Sequence, residues 1–187
     1  MPSTAEIWQA LYGAWRFAHL DRNALRYFDL SHHGTWRSFW APVFCYPGFL
    51  LELWLRLPAE TVAQSGMGHI FLVESIGYVV GWTAFPLAVI ALCRWLGREE
   101  RSFDFITVYN WSYILQIAFF LAVALIGAVL PEGAALALLR AAVVAALAYE
   151  WFIALVAIGA GGWIAGLVVV LDIALGLFIQ VTTLSLY

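Results

Sequence analysis

Charged residues are scarce in this chain of 187 residues. Asp, Glu, Lys and Arg together make up 11% of it, the formal net charge is −3, and all nine basic residues are arginines. These arginines form no basic stripe interleaved with aromatic residues, which is the pattern typical of nucleic-acid-binding surfaces. The composition therefore excludes nucleic acid as a partner.

Cysteines and catalytic motifs are equally sparse. Cys45 and Cys93 both fall in apolar runs, where two distant thiols can build neither a disulfide framework nor a Cys₄ metal site. The sequence has no P-loop, no H-E-x-x-H motif and no G-x-S-x-G motif. His32 and His33 are neighbours, so a helix would point them about 100° apart, and no other histidine lies at metal-ligand spacing. We expect a protein without metal, cofactor or catalytic residues, and therefore not an enzyme.

Apolar residues dominate instead. They make up 64% of the chain, and its mean hydropathy of +0.88 is far above that of soluble domains. A hydrocarbon core about 30 Å thick requires roughly 20 apolar residues per helix. Five continuous runs reach that length, at 37–57, 69–95, 104–130, 133–160 and 162–185. Because a helix satisfies its own backbone groups in a lipid bilayer, the sequence predicts an all-α, polytopic membrane bundle of five transmembrane helices.

The placement of arginine predicts the orientation. Four arginines precede the first run and three lie between the second and third, namely Arg16, Arg22, Arg26, Arg37, Arg94, Arg98 and Arg101. Positively charged loops stay on the cytoplasmic side, so we expect a cytoplasmic N-terminus and an external C-terminus in a bacterial inner membrane. The first residues lack the basic start and cleavage site of a secretory signal, so the first run is expected to be retained.

The N-terminal segment, residues 1–36, is set apart from the predicted transmembrane domain, residues 37–187. Its aromatic and apolar residues recur at helical spacing, at Trp8, Leu11, Tyr12 and Trp15. Such a helix either lies on the inner membrane surface or packs on the bundle's own loops. Where the first run begins, Trp36 and Trp40 are expected to anchor at the headgroups, with Arg37 reaching toward anionic lipid.

Ionisable residues within apolar runs are costly, and each is a candidate functional residue. Four are predicted to form an outer charged layer, Glu52, Arg56, Glu74 and Arg140. Glu52 and Arg56 are four residues apart on one helix face, which leaves Arg140 to meet Glu74 across helices. The layer is either a set of interhelical polar clamps or a pocket for a substrate or a lipid headgroup.

A second pair of acids lies deeper. The short stretch Gly159–Gly162 predicts a tight antiparallel hairpin of the last two helices. Glu150 and Asp172 then both lie roughly 16 Å from the turn, near the middle of the bilayer. Small residues share their helix faces, at Ala142, Ala146, Ala154, Ala157 and Gly161 and at Gly162, Gly166, Gly176, Gln180 and Thr183. Small residues let helices approach closely in lipid, so both acids are expected to point into the protein.

Two interpretations of this pair remain open. Two carboxylates in contact at that depth could hardly both be ionised, so they would share a proton or bind a cation, as in a proton relay. Alternatively, each acid is simply protonated and hydrogen-bonds Asn110, Thr107 or Tyr149.

Two stretches near the N-terminus, Arg26–Ser31 and Gly34–Phe39, resemble the opening of a group of small, uncharacterised bacterial inner-membrane proteins. The strings YNWSYILQ at 109–116 and YEWFIAL at 149–155 resemble later signatures of that group. The resemblance implies a topology and no activity. The layout of a cytoplasmic segment followed by five spans is also similar to that of the Yip1-like family, linked in eukaryotes to vesicle trafficking. The chain lacks that family's tyrosine and proline signature, so the similarity assigns no residue a role.

Three functions follow as hypotheses. The sequence favours the first, a non-enzymatic accessory or scaffold component that presents small-residue faces to other membrane proteins or to further copies of itself, because five helices enclose only a narrow bundle. The second is a small carrier or channel in which Glu150 and Asp172 bind a proton or cation. The third is a lipid-handling or membrane-shaping protein that uses the N-terminal helix.

Overall fold

All of the regular secondary structure is helical in a computed structural model that describes residues 1–187, which confirms the all-α prediction. A 3₁₀ helix covers Arg22–Tyr27. The eight α-helices are α1 (Thr4–Ala18), α2 (His32–Ser38), α3 (Ala41–Arg56), α4 (Ala59–Ser65), α5 (Met67–Trp95), α6 (Glu99–Gly127), α7 (Glu132–Ile158) and α8 (Gly162–Leu184).

Four helices, α5 to α8, are long and apolar enough to cross a membrane. The prediction of five such helices is therefore confirmed only for four. The first predicted span, 37–57, is interrupted by a turn at Phe39 and Trp40 and leaves α3 with 16 residues, a length of about 24 Å. Pro58 ends α3 because the residue before a proline, Leu57, is held in an extended conformation.

The helix α6 lies at the centre of the bundle. It packs against α1, α2, α3, α5 and α7, and its residues 105–112 are all buried. Gly159 and Gly161 have φ values of 67° and 95°, which only glycine adopts readily, and they form the turn between α7 and α8. We call the end of the bundle with this turn the hairpin end.

The N-terminal segment packs directly on α6 and α7. The small residues of α1, Ala10, Gly13 and Ala14, are buried, and the Tyr149 hydroxyl donates to the Ala14 carbonyl at 2.9 Å. The opposite face of α1 leaves Trp8 69% exposed. The helix therefore contacts the bundle with one face and presents aromatic side chains to the surroundings with the other.

Arg37 does not reach toward lipid headgroups, so that prediction was wrong. Its guanidinium forms ion pairs with Glu6 at 3.1 Å and with Asp29 at 2.6 Å, which ties α2 to α1. Hydrogen bonds from Ser31, together with the Arg37 guanidinium, hold the pKa of Asp29 below its ordinary value. Trp36 is 76% exposed, whereas Trp40 is half-buried.

Candidate functional site

The structure brings Glu150 and Asp172 together. Glu150 lies eight residues before the end of α7 and Asp172 ten residues after the start of α8, about 12 and 15 Å from the hairpin end. Their carboxyl groups are close enough for each to influence the ionisation of the other. Glu150 is 4% exposed and Asp172 is half-buried. The two acids therefore meet at a common height, as the hairpin geometry predicted.

The pair has few other polar partners. The Tyr109 hydroxyl of α6 donates to Asp172 Oδ1 at 3.3 Å, while Glu150 Oε1 is buried and has no hydrogen-bond partner. An unpartnered carboxylate oxygen in an apolar site is costly, and two ionised carboxylates in contact are more so. The arrangement therefore favours a proton shared between the acids, or a cation bound to them.

The polar residues expected to bond the acids bond elsewhere. The Asn110 side-chain amide donates to Ser38 Oγ at 2.9 Å, and the Thr107 hydroxyl donates to Thr35 Oγ1 at 2.9 Å. Both residues face α2, which packs on another side of α6. Asn110 therefore belongs to the contact between α2 and α6 rather than to the acid pair, and that part of the predicted site was wrong.

A cavity of about 360 Å³ reaches Asp172. It runs between α5 and α8 and is completed by residues of α3 and α6. Along α8 its lining extends from Asp172 to Thr183, a distance of about 16 Å. Six aromatic side chains line it, Phe49, Tyr78, Trp82, Phe85, Tyr109 and Tyr113. Of the two acids, Asp172 alone lines this cavity, which extends along α8 toward the end of the bundle opposite the hairpin.

The small residues of α8 leave room for this cavity instead of bringing α8 into close contact with a neighbouring helix. A Cβ atom at Gly176 or at Gly166 would have no atom within 4 Å, so the expected close helix contact on this face is absent. The close approach occurs farther along, where a Cβ at Gly77 of α5 would lie 2.7 Å from Thr183 Cγ2. On α7, Ala154 and Ala157 are buried on the side of the helix that carries Glu150, whereas Gly161 is exposed, so the predicted small-residue face is buried only in part.

The outer charged layer forms only in part. Arg56 pairs with Glu52 at 3.6 Å, and Arg56 and Glu74 both line the cavity. Glu74 accepts a hydrogen bond from the Tyr187 hydroxyl at 2.6 Å, and burial together with this carboxylate raises the pKa of Tyr187 to about 12. Arg140 is exposed and forms no ion pair. Its predicted contact with Glu74 was wrong, because α5 packs on α6 and α8 rather than on α7.

Two residues of the site were missed by reasoning from the sequence. Tyr109 lies ten residues after the start of α6, the same distance from the hairpin end as Asp172, so its height could have been inferred. The side of α6 on which Tyr109 meets Asp172 could not have been inferred. No signal in the sequence pointed to the contact between Tyr187 and Glu74, which are 113 residues apart.

Comparison with known protein families, with curated proteins and with solved structures finds no match for this chain. The resemblance to bacterial inner-membrane proteins and to the Yip1-like layout stays a prediction. The fold and the site define a helical protein compatible with membrane insertion, in which Asp172 of a carboxyl pair lines a cavity between α5 and α8.

Proposed function

We propose that the protein is a small proton- or cation-coupled carrier or channel in which Glu150 and Asp172 form the coupling site. The observation that carries this proposal is the cavity, which reaches Asp172 from one end of the bundle. Acids inside a membrane are expensive to keep, and a pathway that leads to them supports a role in moving protons or cations.

The route is open on one side only. Toward the hairpin end, Ile164, Ala165 and Val168 of α8 are buried apolar residues. The Arg98 guanidinium closes that end further by donating to the Gly159 carbonyl at 3.1 Å. A site that is accessible from one end and sealed from the other is what an alternating-access carrier requires in each of its states.

The proposal includes a topology. We place the hairpin end on the cytoplasmic side of a bacterial inner membrane, because arginines cluster in the N-terminal segment and in the connection from α5 to α6. The cavity then opens to the outside. The short helix α3 exposes Val43, Leu51 and Trp54, and we propose that it lies in the membrane as a fifth, shorter helix.

Reconstitution into liposomes tests the proposed activity. A pH-sensitive dye inside the vesicles should report proton flux when a potential or a cation gradient is imposed. The variants Glu150→Gln and Asp172→Asn should abolish that flux because neither side chain can then exchange a proton. Glu132→Gln, which changes an exposed acid at the start of α7, should leave it unchanged. Normal flux in the double variant E150Q/D172N would refute the proposal.

A second candidate is the accessory or scaffold function, with a homo-oligomer or another membrane protein as partner. It is supported by an exposed stripe of small residues along α7, at Ala134, Ala137, Ala141, Ala145 and Ala148. The exposed Arg140 lies beside this stripe, without a carboxylate partner in its own chain. Cross-linking of a cysteine introduced at Ala141 in native membranes tests this candidate. Absence of any cross-linked species would argue against it.

A further inference from the structure

We propose that the cavity binds a small organic ammonium ion, which displaces the proton held by Glu150 and Asp172. This inference rests on the proposed function and names the chemical class of its substrate. It follows from three independent properties of the cavity, namely its charge, its aromatic lining and its lack of metal-binding geometry.

The charge of the cavity selects for cations. Asp172 lies at one end and Glu74 at the other. The single positive side chain in the lining, Arg56, is already paired with Glu52. An anion entering the cavity would meet two carboxyl groups and no free cationic partner. A cation would meet the Asp172 carboxylate, behind which the unpartnered Glu150 Oε1 is buried.

The cation is organic rather than a metal ion. No group of three His, Cys, Asp or Glu side chains lies close enough together to hold a metal. A metal ion bound to two carboxyl groups would lack most of the oxygen ligands that Mg²⁺ or Ca²⁺ requires. An ammonium ion needs far fewer, since its charge is dispersed over alkyl groups or over a few N–H donors.

Aromatic rings surround the Asp172 end. The Trp82 ring lies 4.9 Å from the Tyr113 ring, and the Phe85 ring lies 4.8 Å from the Tyr109 ring. The faces of such rings stabilise a cation that lies within about 6 Å of the ring centre. A cavity of about 360 Å³ is within the range that encloses small molecules. A carboxyl group among aromatic rings is the arrangement that recognises ammonium groups.

The proton and the ammonium ion compete at one site. The titratable groups that face Asp172 are Glu150 from α7 and Tyr109 and Tyr113 from α6. In the same cavity, α5 contributes Tyr78 and Glu74, while α3 contributes Arg56. One ammonium ion bound to the pair replaces one proton, because the charge of the site then stays the same. Binding should therefore release about one proton per ligand.

The variant Gly176→Leu adds an apolar side chain to the cavity lining, at a position where a Cβ has no neighbour within 4 Å. Gly166→Leu is the matched control. It has the same open surroundings on the same helix but does not line the cavity. Both variants add the same side chain to α8, so a difference between them reports occupation of the cavity.

Calorimetry of the detergent-solubilised protein with benzyltrimethylammonium as the probe tests the inference. Titrations in buffers with different heats of ionisation count the protons released, and benzenesulfonate serves as the anionic control. We expect binding with release of about one proton. Affinity should fall at least tenfold in Asp172→Asn and in Gly176→Leu and stay unchanged in Gly166→Leu, and benzenesulfonate should not bind.

The outcomes separate this inference from the proposed function. Ammonium binding without proton release, or binding that persists in Asp172→Asn, overturns the competition at the acid pair. No ammonium binding by a protein that still conducts protons in liposomes overturns the ligand class and leaves the proposed function intact. Absence of both ammonium binding and proton flux overturns the inference and the proposed function together.

Discussion

The hydroxyl of Tyr109 donates to the carboxylate of Asp172 at 3.3 Å, across the contact between α6 and α8. Both residues lie ten positions from the hairpin end of their helices, about 15 Å along each axis. Tyr109 thereby links the buried centre of the bundle to the acid pair and to the wall of the cavity. Substitution of Tyr109 should therefore affect both the stability of the fold and the properties of the acid pair.

The carboxyl pair should hold one proton near neutral pH, because two ionised carboxylates in contact repel each other in an apolar site. Infrared spectra in D₂O should show the band of a protonated carboxylic acid. That band should vanish in the double variant E150Q/D172N and persist in Glu132→Gln, whose side chain is exposed. A wild-type protein without the band would show that both acids are ionised.

The helices α5 and α8 should be sensitive to bulk at Gly77. Gly77→Ala places a Cβ 2.7 Å from Thr183 Cγ2, and such overpacking typically costs about 1–3 kcal/mol of unfolding free energy. Gly81→Ala is the control, because its Cβ would be in ordinary contact, 3.6 Å from Ile179 Cδ1. Thermal unfolding in detergent measures both. Adding Thr183→Ala should restore part of the stability lost in Gly77→Ala, and equal stability of the two glycine variants would contradict the packing.

The contact between α2 and α6 should depend on Ser38. Ser38→Ala leaves the buried amide of Asn110 without its partner, which typically costs about 1–3 kcal/mol. Hydrogen exchange of α2 should accelerate in this variant. Thr182→Ala removes an exposed hydroxyl that donates within its own helix, and it should change nothing in α2. Unchanged exchange in Ser38→Ala would mean that the bond does not hold α2 in place.

The attachment of α2 to the loop before it, made by the ion pair of Asp29 with Arg37, should weaken in acid. Because the pKa of Asp29 is lowered in the folded protein, its contribution is present above the ordinary aspartate value of about 4 and is lost as the pH falls through the folded value. Tryptophan fluorescence and proteolysis between about pH 6 and pH 3 should therefore report loosening of the N-terminal segment. Asp29→Asn should weaken this attachment already at neutral pH and flatten this dependence. An identical acid transition in the variant would assign the effect to other carboxylates.

The exposed aromatic face of α1 should contact lipid. In liposomes that contain brominated lipids, Trp8 and Trp15 should be quenched, because they are 69% and 56% exposed on the face turned away from the bundle. The double variant W8F/W15F should therefore lose part of the quenching. The variant Trp111→Phe removes a tryptophan that is only 2% exposed, so it should show no loss of quenching. Equal quenching in both variants would place α1 away from the membrane surface.

The helical class, the four long apolar helices and the common height of Glu150 and Asp172 were all predictable from the amino-acid sequence. Each of these features depends only on residue spacing along the chain. The rise per residue of a helix gives the height of a side chain above the hairpin, and the length of an apolar run shows whether it can span a membrane. The ion pair of Glu52 with Arg56 was predictable for the same reason, as it joins residues four apart on one helix.

Which sides of the helices meet was not predictable in this way and became visible in the folded bundle. The partner of Asn110 is Ser38, the partner of Glu74 is Tyr187, and Arg140 has no acidic partner, although the sequence offered other pairings. The cavity beside Gly176 arises in the same way, because small residues allow close contact but do not specify which helix, if any, fills the space. The rotation of each helix about its axis and the identity of its neighbours depend on the packing of the whole bundle. They cannot be inferred from the sequence of any single helix.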